Sequence, residues 1–286
     1  KFLVGRIIIF NLHTLSFFEF LNYKNSRLFE IYKKDDYSDV YLSELNSYLK
    51  EYLKFGGYPR VLLVDKEEDK KEILKNIYNT YLLKEIKEIL QYKDTYMFDT
   101  LIKNLAIQTG GIINYNDLSA KTGIPYSKLK EQLSMLEKTF ICKFLLNFHT
   151  NKQIELVKSP KIYFFDLGLR NYIYGNFSEN PEGYLYENFI FCEYLRRDIN
   201  LKFWRTRTGA EVDFIYEKDL KTFVPIEIKS KITASSVDKS YRSFIERYSP
   251  KEGFILSLDY NNIKSINNTK IHFLPFIRFL SNYNSN

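Results

Sequence analysis

The sequence contains few of the residues that mark secreted, zinc-binding or serine-hydrolase proteins. Its 286 residues include two cysteines and three histidines. Cys142 and Cys192 lie far apart within apolar stretches, which predicts reduced core residues in a cytoplasmic protein, without a disulfide framework or a zinc cluster. His13, His149 and His272 have no partners at ligand spacing, and no Ser-His-Asp motif is present, so we expect structural histidines.

An uninterrupted hydrophobic run is also missing from the N-terminal region. The apolar stretch at residues 2–21 contains Arg6 and Glu19 among other polar residues, which a membrane span or signal peptide tolerates poorly. We therefore expect no membrane partner, and predict a strand over residues 7–12 followed by a helix. Ser16, with Glu19 three residues later, has the spacing of a capping box at the start of that helix.

The phosphate-binding pattern G-x-x-x-x-G-K-[ST] is absent, so this chain alone is not expected to hydrolyse ATP. The chain opens on Lys1 within an apolar pattern and without an initiator Met, which we interpret as a fragment. No internal repeat or low-complexity tract is present.

Charge and composition are those of a globular protein with two or three domains. Lys and Arg number 42 against 35 Asp and Glu, a net charge of +7, and 45% of the residues are hydrophobic. The positive excess favours a polyanionic partner such as nucleic acid, but it is small enough to serve solubility alone.

Residues 23–95 have helical periodicity and are predicted to form a helical linker subdomain. One helix is expected over residues 39–54, where four leucines follow helical spacing, and Gly56 and Gly57 end it. A second long helix is expected over residues 66–90.

Residues 96–180 predict a winged helix-turn-helix. Two short helices meet at a turn containing Gly123, which is the typical signature of this motif. The predicted elements are helices at 99–108, at 115–121 and from Pro125 onward, followed by β-rich stretches at 140–148 and 161–167 that would supply the wing.

Lys128 and Lys130 are predicted to face outward on the third of these helices, where they are candidate nucleic-acid contacts. Glu131 and Glu137 would oppose a phosphate backbone. A helical unit that packs against its neighbours or a partner protein is therefore an open alternative to DNA binding.

The remainder, residues 181–286, predicts an α/β domain in the order αβββαβ. The expected elements are a helix at 183–197, strands at 201–206, 211–216 and 223–229, a helix at 235–249 and a strand at 253–258. A polar loop at 261–270 and a terminal strand with a short helix at 271–280 would complete the chain.

The hairpin over residues 209–231 carries acids on both strands. Alternation places Asp213 on one face with Glu211 and Ile215, and places Val212 and Phe214 together on the other.

Glu227 and Lys229 share a face of the next strand, so antiparallel pairing can bring them beside Asp213. Converging carboxylates repel one another unless a cation bridges them, which favours a site for Mg²⁺ or Mn²⁺. A solvated patch of ordinary surface ion pairs is the alternative.

These residues resemble the PD-(D/E)xK nuclease superfamily, which has the restriction-endonuclease-like fold. The matching positions are Glu187 in YEN, Asp213 in EVDF, and Glu227 and Lys229 in IEIK, although Val212 stands where the pattern has Pro. The resemblance implies metal-dependent phosphodiester hydrolysis, with Glu187, Asp213 and Glu227 as metal ligands and Lys229 completing the catalytic set.

A wider resemblance covers nearly the whole chain, through the segments FGGYP, YNTYLLKEI, KIYFFDLGLRNYI, YENFIFCEYLRR and PIEIKSK. It is to the C-terminal half of prokaryotic AAA-type ATPases that end in a nuclease-like domain. It implies that residues 1–22 end an upstream ATPase domain, which would bind ATP in cis. Arg6 then has either a nucleotide-sensing or a structural role.

Arg205 and Arg207, with Lys202, precede the hairpin and are candidate phosphate contacts, with a solvated basic turn as the alternative. Three functions follow. The first is a DNA-engaging region with a metal-dependent nuclease site. The second is a non-catalytic DNA-binding or regulatory module with an inactive nuclease fold, and the third is a protein-interaction adaptor. Formation of a homo-oligomer is left open.

Overall fold

A computed structural model of the chain describes residues 11–34, 38–86, 88, 95–219 and 221–283, and it mixes helices with two β-sheets. The N-terminal part is helical. Its helices are α1 (Phe17–Lys24), α2 (Ser26–Lys33), α3 (Asp39–Phe55), α4 (Pro59–Leu62), α5 (Glu67–Ile77), α6 (Thr95–Ile107), α7 (Tyr115–Thr122) and α8 (Tyr126–Lys138).

Helices and strands alternate in the C-terminal part. The next elements are β1 (Cys142–Leu145), α9 (Lys152–Val157), β2 (Lys161–Phe164) and α10 (Leu167–Tyr174). They are followed by α11 (Gly183–Leu195), β3 (Leu201–Arg205), β4 (Glu211–Glu217), β5 (Phe223–Ile228), α12 (Lys239–Tyr248), β6 (Glu252–Ser257), β7 (Asn262–Ile266), β8 (Thr269–Pro275) and α13 (Phe276–Tyr283). The predicted succession of helix, three strands, helix and strand is therefore present from α11 to β6.

The larger sheet has six strands in the order β3-β4-β5-β6-β8-β7. β3, β4 and β5 pair as an antiparallel meander, whereas β6 is parallel to both β5 and β8. α12 connects the parallel neighbours β5 and β6, since a parallel pair requires a crossover connection. β1 and β2 form a separate antiparallel pair.

Helices cover both faces of the six-stranded sheet. Phe214 and Ile226 lie on the face that packs against α11 and α13, in a cluster that also contains residues of α1, α2 and α3. Val212 and Ile215 lie on the opposite face, in the cluster formed with α12. Helices α2 and α3 of the linker thus share their apolar core with the sheet, whereas Val61 of α4 and Leu74 of α5 lie in a separate small cluster with Phe55.

The alternation of side chains in β4 differs from the prediction. Lys202 and Trp204 of β3 are two residues apart, but their partners Ile215 and Val212 in β4 are three apart. The extra residue is a β-bulge, which reverses the alternation and sends Phe214 to the face opposite Val212. The predicted pairing of Val212 with Phe214 on one face is therefore wrong.

Helices α6, α7 and α8 enclose their own apolar cluster together with β1, β2 and α10. Gly123 ends α7 with φ 71°, a left-handed conformation that glycine adopts without steric cost, and Pro125 caps α8 two residues later. Two helices joined by a short turn therefore lie close to the predicted positions.

The caps of two N-terminal helices are built as their sequences suggest. The hydroxyl oxygen of Ser16 accepts from the amide of Glu19 at 3.2 Å and the carboxylate of Glu19 accepts from the amide of Ser16 at 2.8 Å, so the capping box is confirmed. Gly56 ends α3 with φ 74°, and a Cβ there would lie 2.2 Å from Oδ1 of Asp166. The carboxylate of Asp166 accepts from the amides of Gly57 and Leu169, which joins the FGGYP and FDLGLR segments.

Two predicted elements differ in the structure. The helix expected at 66–90 changes to a π-helix at Tyr78–Ile86, and its expected end lies outside the described residues. The expected polar loop at 261–270 instead contains β7, which is mostly exposed at the sheet edge and pairs with β8 alone. An edge strand that buries no face has the polar composition of a loop, which explains this error.

The strand predicted at residues 7–12 falls largely outside the described residues, as does Arg6. Within the part of the chain that the structure describes, no helix has both the length and the apolar character needed to cross a bilayer.

Candidate active site

Four residues predicted from the sequence are brought close together at one end of the β4–β5 hairpin. Glu187 projects from α11, Asp213 and Glu227 lie on β4 and β5, and Lys229 follows β5 directly. The side chains of Glu187, Asp213 and Glu227 have exposed fractions of 18%, 14% and 11%, so all three acids are largely withdrawn from water.

The hairpin itself fixes Asp213 and Glu227. The carboxylate of Asp213 accepts from the amide of Ile228 at 2.8 Å, and the amide of Asp213 donates to the carboxylate of Glu227 at 3.5 Å. The bulge in β4 accompanies this cross-strand contact at Asp213. Lys229 pairs with Glu227 at 2.9 Å and with Asp238, just before α12, at 2.8 Å.

At the centre of the acids lies a residue that the sequence did not single out, Lys161 of β2. Its Nζ is 2.6 Å from Glu211, 3.7 Å from Glu187 and 3.8 Å from Asp213, and the side chain is 3% exposed. The one available signal was a lysine at the start of the buried segment KIYFF. A buried lysine requires acidic partners, but the sequence does not say which.

Further contacts extend and orient this group. Glu211 also pairs with Arg205 at 2.7 Å, and the hydroxyl of Tyr163 donates to Glu187 at 3.1 Å. Asn188 orients α11, because its amide group accepts from and donates to the backbone of Phe164.

We call the resulting set the acidic cluster. Its members are Glu187, Glu211, Asp213, Glu227 and Asp238, with Lys161, Arg205 and Lys229 as counter-cations.

Five carboxylates face three cations in the acidic cluster, so full ionisation of the acids would leave an excess of negative charge. Burial and the neighbouring Asp213 raise the pKa of Glu187 to about 7 and that of Glu227 to about 8. Burial also raises the pKa of Asp213. Burial alone would lower the pKa of Lys161, but Glu187, Asp213 and Glu211 raise it. The lysine is therefore charged, while the acids favour an additional cation or proton.

The acidic cluster offers the type of ligand that a hard divalent cation binds, because carboxylate oxygens are the ligands that Mg²⁺ and Mn²⁺ prefer. The arrangement is different: within the described residues, no group of three or more His, Cys, Asp or Glu side chains is placed to hold a metal ion. Lys161 lies between three of the acids instead. The metal predicted at Glu187, Asp213 and Glu227 stays a prediction, and binding there requires these side chains to move.

The predicted nucleic-acid contacts have different environments. Lys128 and Lys130 are exposed on α8, and Nζ of Lys130 lies 5.4 Å from the ring centre of Tyr115 and 5.7 Å from that of Tyr126. Arg207 is exposed in the β3–β4 turn, whereas Arg205 is held by Glu211.

Lys202 was also a candidate phosphate contact, but it is largely buried and pairs with Glu155 at 2.6 Å. This lysine is consequently not available to a phosphate in the described conformation, and the prediction for it is wrong.

Comparison with protein families divides the chain in two. Residues 46–180 match a domain of unknown function (DUF8612), and residues 182–277 match a second domain of unknown function (DUF4143). The second range begins directly before α11, so the acids of the cluster belong to it, whereas Lys161 belongs to the first.

Two curated relatives are both described as uncharacterized. A protein of Methanocaldococcus jannaschii is 30% identical over 231 residues, which cover 78% of this chain and 50% of that protein. A protein of Haemophilus influenzae is 29% identical over 221 residues, covering 76% of this chain and 52% of that protein. The chain thus spans about half the length of these relatives. No solved structure matches it significantly.

Proposed function

We propose that α11 to β6 form a restriction-endonuclease-like domain of the PD-(D/E)xK type, which hydrolyses phosphodiester bonds in nucleic acid. The observation that supports this proposal is the convergence of Glu187, Asp213, Glu227 and Lys229. They come from a helix and two strands of an αβββαβ arrangement, and they form part of one continuous network of ion pairs and hydrogen bonds.

Each residue has a role that its surroundings favour. Glu187, Asp213 and Glu227 would hold Mg²⁺ or Mn²⁺, which when bound supplies charge stabilisation and a more acidic water. Lys229 is 38% exposed at the outer side of the acidic cluster, where its ammonium group can contact a phosphate oxygen. Glu227 and Asp238 hold this ammonium group in place.

We propose further that α6 to β2 are a winged helix-turn-helix that engages DNA. Lys128 and Lys130 are exposed on α8, where both could contact a phosphate backbone. The whole would be the C-terminal region of a cytoplasmic AAA-type ATPase whose nucleotide site lies upstream. Relatives of about twice the aligned length leave room for such a domain.

A cleavage assay tests the nuclease proposal. Single-stranded and double-stranded DNA and RNA are incubated with the chain and Mg²⁺ or Mn²⁺, and products are resolved by size. We expect cleavage by the wild type and a loss of at least about 100-fold in Asp213→Asn and Lys229→Ala, because charge stabilisation of the transition state is removed. The matched control is Lys221→Ala, an exposed lysine in the β4–β5 turn. Equal rates in all four proteins would sink the assignment of the site.

One observation favours a second candidate, the non-catalytic DNA-binding or regulatory module. Lys161 already provides a cation to Glu187, Glu211 and Asp213, so the fold can keep these acids without a metal. In that case the wild type binds duplex DNA but cuts none of the four substrates under any metal condition.

The proposed DNA binding by the segment from α6 to β2 is tested by the salt dependence of duplex binding. Lys128→Glu with Lys130→Glu should weaken duplex binding and reduce the slope of log K against log salt by about two, because each lysine would neutralise one phosphate. Lys121→Glu is the control on α7, since its ammonium group already pairs with Asp117 at 2.8 Å. An unchanged slope in the double variant would favour the third function, a protein-interaction adaptor.

A further inference from the structure

Lys161 reaches the acidic cluster from outside the proposed nuclease domain. It is the first residue of β2, which pairs with β1, and its backbone also bridges to Ile112 beyond α6. The side chain then extends to Glu211 and Asp213 on β4 and to Glu187 on α11. One lysine therefore ties the segment from α6 to β2 to two acids of the sheet and one of α11.

The position of this ammonium group conflicts with a metal ion. Mg²⁺ bound to oxygens of Glu187 and Asp213 would sit about 2.0–2.1 Å from each. Nζ of Lys161 is itself 3.7 Å and 3.8 Å from oxygens of those two residues. Two cations would then be close neighbours in a buried region of low dielectric, where their repulsion is strong.

We infer that Lys161 is the counter-cation of the acidic cluster, and that a divalent metal ion must displace its ammonium group in order to bind there. This inference rests on the proposed function, because it concerns how the same site is opened. The lysine stabilises the acids while no metal is bound. Metal binding then breaks the ion pairs that Lys161 of β2 makes with the sheet, so movement of the segment from α6 to β2 can control loading of the site.

The test is calorimetric titration of Mn²⁺ into the wild-type chain, Lys161→Met and Lys161→Gln, each first treated with EDTA and dialysed. Both variants remove the charge and keep an extended side chain that is one atom shorter than that of lysine. We expect Mn²⁺ to bind them at least about tenfold more tightly than the wild type and to raise their Tm by several degrees more. Lys202→Met is the matched control, because Lys202 is also a largely buried lysine between two glutamates.

Equal Mn²⁺ affinity in the wild type and both Lys161 variants overturns the inference. A gain in Mn²⁺ affinity in Lys202→Met as large as that in the Lys161 variants also overturns the inference, since the gain would then be a general effect of lower positive charge. Failure of both variants to fold even with Mn²⁺ also overturns it, because a cation that takes the lysine's place should restore the fold.

Cleavage by the same proteins separates this inference from the proposed function. Tighter Mn²⁺ binding without any cleavage leaves Lys161 as the displaced cation and rejects the nuclease. Cleavage by the wild type, with Mn²⁺ affinity unchanged in both variants, supports the nuclease and rejects the role of Lys161.

Discussion

The two ends of the β3–β4 hairpin each hold lysines among carboxylates, yet the two groups differ in charge balance. At one end lies the acidic cluster around Lys161. At the other, Lys152 and Lys202 meet Glu155 and Glu217, with Lys202 2.6 Å from Glu155 and Lys152 3.0 Å from Glu217. We call this second group the balanced cluster, since two cations face two acids.

The pKa values follow the charge balance. In the balanced cluster burial would raise the pKa of Glu217, but its hydrogen bonds to Lys202 and Lys152 lower it. In the acidic cluster burial and Asp213 together raise the pKa of Glu187 to about 7. Acids that are fully neutralised by lysines join elements, whereas acids left in excess can bind something more. We therefore place the candidate function at one end of the hairpin and a structural role at the other.

The two clusters should differ most in the stability that is lost when a single lysine is removed from each. Lys161→Met should lower the free energy of unfolding by about 3–5 kcal/mol in EDTA, because it removes the cation paired with the buried Glu187 and Asp213. Lys202→Met should cost less, about 1–2 kcal/mol, because Lys152 remains 3.4 Å from Glu155 and 3.0 Å from Glu217. Urea denaturation of both variants measures the difference. Equal losses would show that the acids around Lys161 are as well neutralised as those around Lys202.

Neutralising one acid at each end should change stability in opposite directions at pH 8. The folded-state pKa of Glu187 is raised from 4.5 to about 7, so its ionisation costs folded stability as the pH rises through that range. Glu187→Gln should therefore gain about 1–2 kcal/mol at pH 8 relative to the wild type, and little at pH 4.

The folded-state pKa of Glu217 is lowered, so its ionised form contributes stability above about pH 4.5, which is lost at lower pH. Glu217→Gln should lose about 1 kcal/mol at pH 8, and this loss should shrink in acid. Denaturant unfolding in EDTA at pH 4 and pH 8 measures both variants. If the two variants change the free energy of unfolding in the same direction at pH 8, the distinction between the clusters is contradicted.

The sequence predicts a large part of the fold and half of this site. Helices α3, α7 and α11 and strands β3 to β6 follow from periodicity, because each buries one face or both. Asp213, Glu227 and Lys229 could be placed together because strand alternation and a hairpin are local properties. Glu187 was predicted from the resemblance to a family, because nothing in the sequence around it indicates that it lies beside the hairpin.

Contacts between distant segments could not be predicted in the same way. Lys161 and Glu211 are in contact although α10, α11 and β3 lie between them in the sequence, and Lys202 meets Glu155 of α9. A lysine in the sequence looks the same whether it meets a phosphate or a buried glutamate, and only the fold decides. The β-bulge in β4 was missed for a related reason, because it depends on the register with β3.

Exposed cations at the two ends of the hairpin give the smallest expected effect. Arg207 lies in the β3–β4 turn beside the acidic cluster, and Lys221 lies in the β4–β5 turn that follows Glu217. If nucleic acid approaches the acidic cluster, Arg207→Gln should weaken duplex binding by about three- to tenfold and reduce the salt slope by about one, whereas Lys221→Gln should change neither.

Fluorescence anisotropy over a series of salt concentrations measures both variants. Each substitution removes one exposed positive charge, so a nonspecific effect of net charge should be the same in the two proteins. A loss confined to Arg207→Gln places the nucleic acid at the end of the hairpin where the acids are in excess. Equal losses, or none, would leave Arg207 in a solvated basic turn and would separate nucleic-acid binding from the acidic cluster.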